Sequence, residues 1–315
     1  MAGTMSRRLT AEGTAPVSNL LRAGLIVAAT VAAFAVLALA GGAPATAYRH
    51  TYLQFNLCGN ACNGAGLGVV TDLVKSINER TPFAITLNEV CENQYLRLRA
   101  DLIPYDGRFD PTGATCRNGA RFGNAILVRA TNVNVVGSWE LPNPAGDEAR
   151  RLMCVSTQLS AAASLVICVT HISNVSGNIA AQVTLVARIV NGLSLDNAVL
   201  LGGDFNTDPA DARLNALYRV CYSSGTGAFD EADSAGCASR SVIDGNAGSD
   251  VINEDTYGRQ KFDYIFLSDG DWSSAGADAT EAVNGLSDHD VLWATAIFRV
   301  GDSAPGSPAA HPTTA

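Results

Sequence analysis

The sequence predicts an α/β fold in which β-strands and helices alternate within one domain. Short runs rich in β-branched and aromatic residues alternate with segments whose apolar residues recur at helical spacing. The part of the chain expected to fold, residues 48–300, has the length of one large α/β domain. No internal repeat is visible.

Residues 1–47 are predicted to be a secretory signal peptide. Three arginines precede the apolar run Leu25–Ala40, whose 16 residues are fewer than the roughly 18 that a membrane span needs. The small residues Ala45-Thr46-Ala47 then form a site of the kind that signal peptidase cleaves. We therefore expect a secreted, extracellular protein, and an uncleaved N-terminal anchor is the alternative.

The expected mature chain is acidic. Cleavage after Ala47 removes three arginines and one glutamate, which takes the formal net charge from −9 to −11. A surface of this sign gives no general attraction to phosphate backbones, so any binding of nucleic acid must be local or metal-assisted. At the other end, residues 301–315 contain three prolines and many small residues, and they are predicted to form a disordered tail.

Apolar runs predict eight strands and helical spacing predicts two helices. The strands are expected at Thr51–Leu57, Phe83–Glu89, Phe122–Arg129, Met153–Leu159, Leu165–His171, Ala198–Leu201, Lys261–Leu267 and Val291–Val300. The helices are expected at Val69–Glu79 and Ile179–Leu193. Two polar, Gly-rich stretches, Gly245–Gly258 and Ser268–Gly285, are predicted to be loops.

All eight cysteines follow the expected cleavage site, and an even number in an exported chain favours disulfides over catalysis. The hairpin formed by the fourth and fifth predicted strands would set Cys154 opposite Cys168. Chain proximity suggests the remaining pairs, Cys58–Cys62, Cys91–Cys116 and Cys221–Cys237. The alternative, zinc binding, is disfavoured because the sequence has no CxxC pair.

Polar residues able to carry chemistry stand at the ends of apolar strands. Strand ends that converge on one rim of a sheet are common positions for ligand sites. The candidates are Asn56, Glu89, His171, Asp204, Asn206, Asp263, Asp288 and His289.

The strongest motif is Gly202-Gly203-Asp204-Phe205-Asn206, directly after a short buried strand. Glycine lets the backbone approach a ligand closely, and carboxylate and amide oxygens suit a hard cation or an oriented water molecule. The alternative is an Asx turn that ends the strand, which is a common use of Asp and Asn.

Two histidines lie beside other polar residues, His171 at a strand end and His289 within Ser287-Asp288-His289. Histidine titrates near neutral pH and is the most frequent general acid or base. Either residue alone could be structural, but two histidines together with carboxylates favour a catalytic site.

Three further residues complete the set. Glu89 closes an apolar strand, and because an unpaired buried carboxylate is costly, a metal partner is a natural explanation. Asn56 ends the first strand. Asp263 could accept a hydrogen bond from a histidine ring N–H and so hold its tautomer.

The order of these elements resembles the endonuclease/exonuclease/phosphatase superfamily. Asn, Glu, Thr-His, Gly-Asp-Phe-Asn, a strand Asp and Ser-Asp-His follow one another between Tyr52 and Phe298. The Gly-Asp-Phe-Asn and Ser-Asp-His motifs are specific in this order, whereas the other elements are weak singly. The resemblance implies a four-layer α/β/β/α sandwich of two packed mixed sheets, as in deoxyribonuclease I.

The resemblance also implies roles for the candidates. It implies a divalent metal, Mg²⁺ or Mn²⁺, held by Glu89 with Asn56 and Asp288. Asp204 and Asn206 would orient the attacking water and the phosphate. His289, backed by Asp263, would be the general base, and His171 would stabilise the phosphate or protonate the leaving group.

Two more residues are assigned to the substrate phosphate, Arg151 and Asn124. Arg121 and Arg150 are the alternatives to Arg151, and each could equally be an ordinary surface arginine. The chain departs from the family at Asn88, where glutamine is usual before the metal-binding glutamate. It also lacks the arginine that deoxyribonuclease I carries shortly after that glutamate, which argues against the same mode of duplex binding.

We therefore expect a secreted, divalent-metal-dependent phosphodiester hydrolase. Nucleic acid is the favoured substrate, cleaved as by an endonuclease through in-line attack of an activated water. One alternative is a sphingomyelinase-like enzyme acting on phospholipid. Another is a catalytically inactive binding member, against which the intact set of site residues argues. The sequence implies no stable protein partner, and we expect a monomer.

Overall fold

Two six-stranded mixed β-sheets pack face to face in a computed structural model that describes residues 48–160, 163–241, 252–282 and 285–299. The expected signal peptide and C-terminal tail lie outside the described residues. Within the described residues, no helix has both the length and the apolar composition needed to cross a membrane.

The strands are numbered in chain order. They are β1 (Tyr48–Asn56), β2 (Ala84–Cys91), β3 (Asp106–Thr115), β4 (Arg121–Val128), β5 (Asn134–Glu140), β6 (Arg151–Ser160), β7 (Ala163–His171), β8 (Ala198–Asp204), β9 (Phe229–Glu231), β10 (Asp263–Ser268), β11 (Trp272–Thr280) and β12 (Val291–Phe298). The first sheet has the order β11-β12-β1-β2-β4-β3, and the second has the order β5-β6-β7-β8-β10-β9. The β1–β2 and β7–β8 pairs are parallel, and the other pairs of named strands are antiparallel.

Three α-helices cover the outer faces of the sheets. Helices α1 (Gly68–Arg80) and α2 (Glu92–Asp101) pack on the first sheet, and α3 (Ser176–Leu193) packs on the second. Helix α3 buries Ile179, Val183 and Val190, whose spacing puts them on one face of a helix. The predicted four-layer α/β/β/α sandwich is confirmed.

The main core lies between the two sheets. Side chains alternate along a strand, so every second residue points inward. On β1, Tyr52 enters the core between the sheets, whereas Leu53 and Phe55 contact the helices outside. On β7, Ile167 and Val169 point inward and Val166 points outward.

The eight predicted strands and two predicted helices are all present, but edge elements were missed. The prediction of a loop over Ser268–Gly285 is wrong, because β11 lies within it and pairs with β12. After Trp272 this strand is built from Ser, Ala, Gly, Asp and Thr, so it lacks the β-branched pattern of a central strand. Strand β3 contains Pro111 and Gly113 and lies at the other edge of the same sheet, where proline is tolerated.

All four predicted disulfides are confirmed. The structure joins Cys58 to Cys62, Cys91 to Cys116, Cys154 to Cys168 and Cys221 to Cys237. Cys154 and Cys168 are directly opposed on β6 and β7, as the hairpin argument predicts. Because β7 ends at His171, this disulfide links the base of a candidate site strand to its neighbour.

Replacing Cys154 and Cys168 together by alanine is expected to lower the melting temperature clearly. The bridge closes a loop of about 15 residues, for which chain-entropy arguments give roughly 3 kcal/mol. Activity should fall partly, because the strand carrying His171 loses its brace, while the metal requirement stays the same.

The matched control for that variant is the double alanine variant of Cys221 and Cys237, a bridge of similar span that touches no candidate site strand. It should lose similar stability but keep its activity at temperatures where it is folded. Equal activity losses in the two variants, or no loss of stability on removing Cys154 and Cys168, would contradict the bracing role.

Candidate active site

The space between the two sheets is apolar at one end and polar at the other. On β1 the inward series runs from Tyr52 through Gln54 to Asn56. On β8 it runs from Leu200 to Asp204. The inward positions thus change from core residues to hydrogen-bonding residues at the same end of both sheets, and the predicted catalytic residues meet there.

Gly202 near the end of β8 allows the two sheets to pack closely at this point. A Cβ on Gly202 would lie 2.1 Å from the Thr86 hydroxyl oxygen of the opposite sheet. The sequence suggests a glycine that admits a ligand, but at this position glycine admits the neighbouring sheet. The close packing brings Asp204 within reach of β1 and β2.

A β-bulge directs Glu89 to the same rim. The β2–β4 register shifts between Leu87 and Val90, and Glu89 has a φ of 54°, in the left-handed region. The backbone is held there by hydrogen bonds from Leu57 N to Asn88 O and from Gly59 N to Glu89 O, both 2.9 Å. Asn88 and Glu89 can therefore both face the site, although neighbouring residues of a regular strand point to opposite faces of the sheet.

Asp204 is the centre of the cluster. Its Oδ2 accepts a hydrogen bond from Asn56 Nδ2 at 3.0 Å and lies 3.4 Å from His171 Nε2 and 3.6 Å from His289 Nε2. Its Oδ1 accepts from the backbone N–H of Asn206 at 2.9 Å. The Asx turn considered as the alternative is thus present, and the second oxygen still faces the site. Burial raises the pKa of Asp204 to about 7.

His289 is held by an acid behind it. Its Nδ1 donates to Asp263 Oδ2 at 2.7 Å, and the other Asp263 oxygen accepts from Gln54 Nε2 at 3.1 Å. Burial by itself would lower the pKa of His289, but Asp263, Asp204 and Asp288 outweigh it and raise that pKa to about 10. With this pKa the ring is an imidazolium at neutral pH in the metal-free protein, and its Nε2 lies 3.6 Å from Asp204 Oδ2 and 3.4 Å from Asn56 Nδ2.

His171 has the opposite character. Its Nδ1 lies 2.7 Å from Arg150 Nη1, and because a guanidinium can only donate, Nδ1 must accept. The proton of the neutral ring is then on Nε2, which faces Asp204. Burial and the nearby charges of Arg150 and His289 hold the pKa of His171 well below its usual value. Asn206, whose Nδ2 donates to Ile172 O at 3.0 Å, lies beside this ring.

The predicted metal residues offer hard oxygens. Burial raises the pKa of Glu89, whose carboxylate accepts a hydrogen bond from Asn56 at 3.3 Å, and the charge of Asp288 raises it further. Among the described residues, neither carboxylate forms an ion pair with lysine or arginine. Two carboxylates whose charges interact and that form no ion pair with lysine or arginine fit a divalent cation such as Mg²⁺.

Asn56 is oriented differently from a simple oxygen ligand. Its Oδ1 accepts from the Cys58 backbone N–H at 3.0 Å, so its Nδ2 faces the carboxylates of Glu89 and Asp204. The short disulfide loop that starts at Cys58 fixes this orientation. In this arrangement Asn56 links the two acids through hydrogen bonds.

Among the described residues, the two predicted phosphate residues form no hydrogen bond with Asp204, His171 or His289. Arg151 pairs with Asp110 at 3.2 Å and donates to Ser138, so its charge is neutralised. Asn124 accepts from Asn88 Nδ2 at 3.0 Å, and its own Nδ2 is buried without a hydrogen-bond partner. It is Arg150, the neighbour of Arg151 in the sequence, that contacts a candidate catalytic residue.

Sequence reasoning missed a buried polar layer beneath the site. Gln54 Nε2 donates to Asn88 Oδ1 at 2.7 Å, and Thr86 donates to Gln54 Oε1 at 2.6 Å. Asn88 Oδ1 also accepts from the backbone N–H of Asp204 at 3.0 Å. Polar residues at inward positions of β1 and β2 were the signal that could have revealed this layer.

In the metal-free protein, the pKa of His171 is expected to lie below that of free histidine and the pKa of His289 above it. Between about pH 6 and about pH 8, His171 should stay neutral and His289 should stay protonated, whereas free histidine titrates near 6.5. His171 then destabilises the fold as pH falls below 6.5. His289 stabilises the fold below 6.5 and loses this effect as pH rises through about 10.

NMR of the imidazole nitrogens reads both rings directly, with the His171→Gln and His289→Gln variants assigning the signals. Two rings that both titrate near 6.5 would contradict these environments.

Comparisons with known proteins agree on one family. The model of the Endonuclease/Exonuclease/phosphatase family matches residues 53–289. No curated protein matches significantly.

Several solved structures share the fold. The human Nocturnin catalytic domain with bound sulfate is 17% identical, with 81% of this chain and 97% of that chain covered and a TM-score of 0.61. An endonuclease/exonuclease/phosphatase from Bacteroides vulgatus is 16% identical, with 80% and 100% covered and a TM-score of 0.60. D. rerio TDP2 complexed with single strand DNA product is 16% identical, with 78% and 98% covered and a TM-score of 0.55.

Proposed function

This chain belongs to the Endonuclease/Exonuclease/phosphatase family of phosphoester hydrolases, and we propose that it is a secreted, divalent-metal-dependent nuclease. The observation that carries the proposal is the convergence on Asp204 Oδ2. Two imidazole nitrogens and one amide nitrogen face this single buried oxygen within 3.6 Å. A water molecule and a phosphodiester brought to this rim would meet a base and several donors together.

The attacking water is activated by Asp204. The resemblance implies His289 as the general base; we instead assign that role to Asp204, because its Oδ2 is the oxygen on which the polar side chains of the site converge. The Asp204 carboxylate is buried among donors, and its pKa of about 7 suits a base that works near neutral pH. The water oxygen attacks phosphorus, its proton passes to Asp204, and the bond to the leaving oxygen breaks. The leaving oxygen takes its proton from solvent.

The two histidines stabilise the charge that develops on the phosphate. His289 donates through Nε2–H as an imidazolium, and His171 donates through Nε2–H as a neutral ring. His171 does not transfer its proton, because a neutral ring would become an imidazolate. Donors fixed before the reaction stabilise a transition state without reorganisation.

Glu89 and Asp288 would hold the metal, with Asn56 linking Glu89 to Asp204. When bound there, a divalent cation such as Mg²⁺ supplies positive charge that lowers the pKa of the attacking water and stabilises the transition state.

Two further observations support the finer parts of the proposal. D. rerio TDP2, which shares this fold, is complexed with a single strand DNA product, and this favours nucleic acid as the substrate. The four disulfides favour an oxidising, extracellular location. The exposed large apolar residues within the described residues are scattered over several elements, so they lend no support to the phospholipid alternative.

A parallel assay tests the function. The purified, processed protein with Mg²⁺ should cleave single-stranded DNA, plasmid DNA or RNA faster than it hydrolyses sphingomyelin in vesicles. The Asp204→Asn variant, purified in the same way, identifies activity from contaminating nucleases. Faster hydrolysis of sphingomyelin would replace the nuclease assignment by the phospholipid one. Equal rates for the variant and the wild type would remove the site from either reaction.

A further inference from the structure

Arg150 is a buried cation with spare hydrogen-bonding capacity. It directly precedes β6 and is only 7% exposed. Its Nη1 contacts His171 Nδ1 at 2.7 Å, and its Nε is buried without a hydrogen-bond partner. Among the described residues, it takes part in no ion pair. The charge of Arg150 acts on Glu89 and Asp147, but neither carboxylate forms an ion pair with it, so a further anion at the guanidinium would offset the cost of its burial.

Most of the other arginines with buried nitrogens are compensated, and Arg99, whose Nε is also buried without a hydrogen-bond partner, pairs with Asp106. Arg151 pairs with Asp110, and Arg219 pairs with Asp230. Arg240 is buried to the same degree and lacks an acidic side-chain partner, but each of its nitrogens donates to an oxygen of a surrounding residue. Among the two arginines that are buried within the described residues, Arg150 alone has an unused nitrogen.

The position of Arg150 relative to Asp204 decides what it could bind. His171 lies between them, with Nε2 toward Asp204 at 3.4 Å and Nδ1 toward Arg150 at 2.7 Å. Arg150 is therefore one imidazole ring beyond the reaction centre. In a nucleic-acid strand, the anionic group nearest to the scissile phosphate is the adjacent phosphate, and this is the group that Arg150 could reach.

We propose that Arg150 forms a second phosphate subsite, which binds the phosphate adjacent to the scissile one. This inference rests on the proposed function and deepens it, because it selects substrates that carry at least two neighbouring phosphates. A single-phosphate ester such as a phospholipid leaves the subsite empty. Guanidinium–phosphate pairs give charge-assisted hydrogen bonds with well-defined geometry.

Dinucleotides of one sequence test the subsite. One has a single phosphodiester and no terminal phosphate, and the others carry an added terminal phosphate at the 5′ or the 3′ end. The wild-type protein with Mg²⁺ should prefer one phosphorylated form by about 10- to 100-fold in kcat/KM, the range expected for a hydrogen bond to a charged group. The Arg150→Met variant should lose that preference, and Arg150→Lys should restore part of it.

The preference is a ratio between two substrates of the same enzyme, so a general loss of activity through His171 does not change it. Arg151→Met is the matched control, since Arg151 is the next residue and is already paired with Asp110. It should keep the wild-type preference. A wild-type enzyme without a preference, or an Arg150→Met variant that retains it, would overturn the subsite.

A second readout needs no turnover. Inorganic phosphate in the presence of EDTA should raise the melting temperature of the wild type and of Arg151→Met, but not that of Arg150→Met. If neither a dinucleotide nor a longer nucleic acid is cleaved, the nuclease proposal fails, and this thermal shift still decides the role of Arg150. An equal shift in all three proteins would overturn it.

Discussion

The His289→Ala variant is expected to lose about 10²–10⁴-fold in kcat/KM on nucleic acid, the usual contribution of a general acid–base or charge-stabilising group. The ring is bonded to Asp263 at 2.7 Å and faces Asp204 at 3.6 Å. Removing it takes away the imidazolium that donates to the phosphate. The Asp204→Asn variant should lose a similar factor, because an amide cannot accept the proton of the water.

Folding must be shown to survive these changes. Burial opposes the charge of Asp204, so its amide isostere should keep the melting temperature near that of the wild type. His50→Ala is the control for the loss of an imidazole, since His50 lies near the opposite end of β1 from Asn56. Activity of Asp204→Asn or His289→Ala within a few-fold of the His50→Ala control would show that the cluster is not the catalytic site.

Removal of divalent metal is expected to stop turnover completely, and Mg²⁺ or Mn²⁺ should restore it. Glu89 and Asp288 offer only oxygen ligands, and burial of Glu89 favours a bound cation that offsets its charge. The Glu89→Gln variant should need about tenfold or more additional Mg²⁺ for half-maximal activity, in line with the loss of one charge-assisted ligand contact.

Metal titrations of activity and of the melting temperature measure this requirement. Glu92→Gln is the matched control, because Glu92 is three residues away and forms an exposed ion pair with Arg121. Its metal requirement should equal that of the wild type. Full activity after exhaustive chelation would contradict a metal mechanism, and an unchanged requirement in Glu89→Gln would remove Glu89 from the metal site.

The fold was predictable where burial imposes a pattern. Strands such as β7 and β8 are nearly continuous apolar runs because both of their faces are covered. The elements that were not predicted lie where few residues are buried, so their sequences carry little apolar pattern. Helix α2 buries only Gln94, Tyr95 and Leu98, and β11 faces solvent at several positions, so neither leaves a clear period in the sequence.

The sequence predicted which residues form the site, but it did not predict which of them contact one another. Asp204, His171 and His289 stand at strand ends, and the strands bring those ends together. The choice between Arg150 and Arg151 could not be made from the sequence. It depends on where β6 begins, since the inward residue Arg151 reaches Asp110 on the other sheet and the preceding residue reaches His171.

The roles of Gln54 and Asn88 depend on contacts between the two sheets. Asn88 replaces a longer glutamine of the family, and Gln54 from the adjacent strand donates to its oxygen and to Asp263. A substitution at one strand is thus matched by a side chain on another. The contact between Gln54 and Asn88 depends on the register of β1 with β2, and their contacts with Asp263 and Asp204 depend on the packing of the two sheets, which no single strand pattern encodes.

Hydrolysis in ¹⁸O-labelled water tests the central claim most directly, which is that this cluster drives attack of water on phosphorus. With Mg²⁺ and a single-stranded oligonucleotide, the wild-type protein should place one ¹⁸O atom on the terminal phosphate of the product, as read by mass spectrometry. Asp204→Asn should give almost no labelled product in the same time. Label in the released hydroxyl instead of the phosphate, or equal labelling by the variant, would contradict the account.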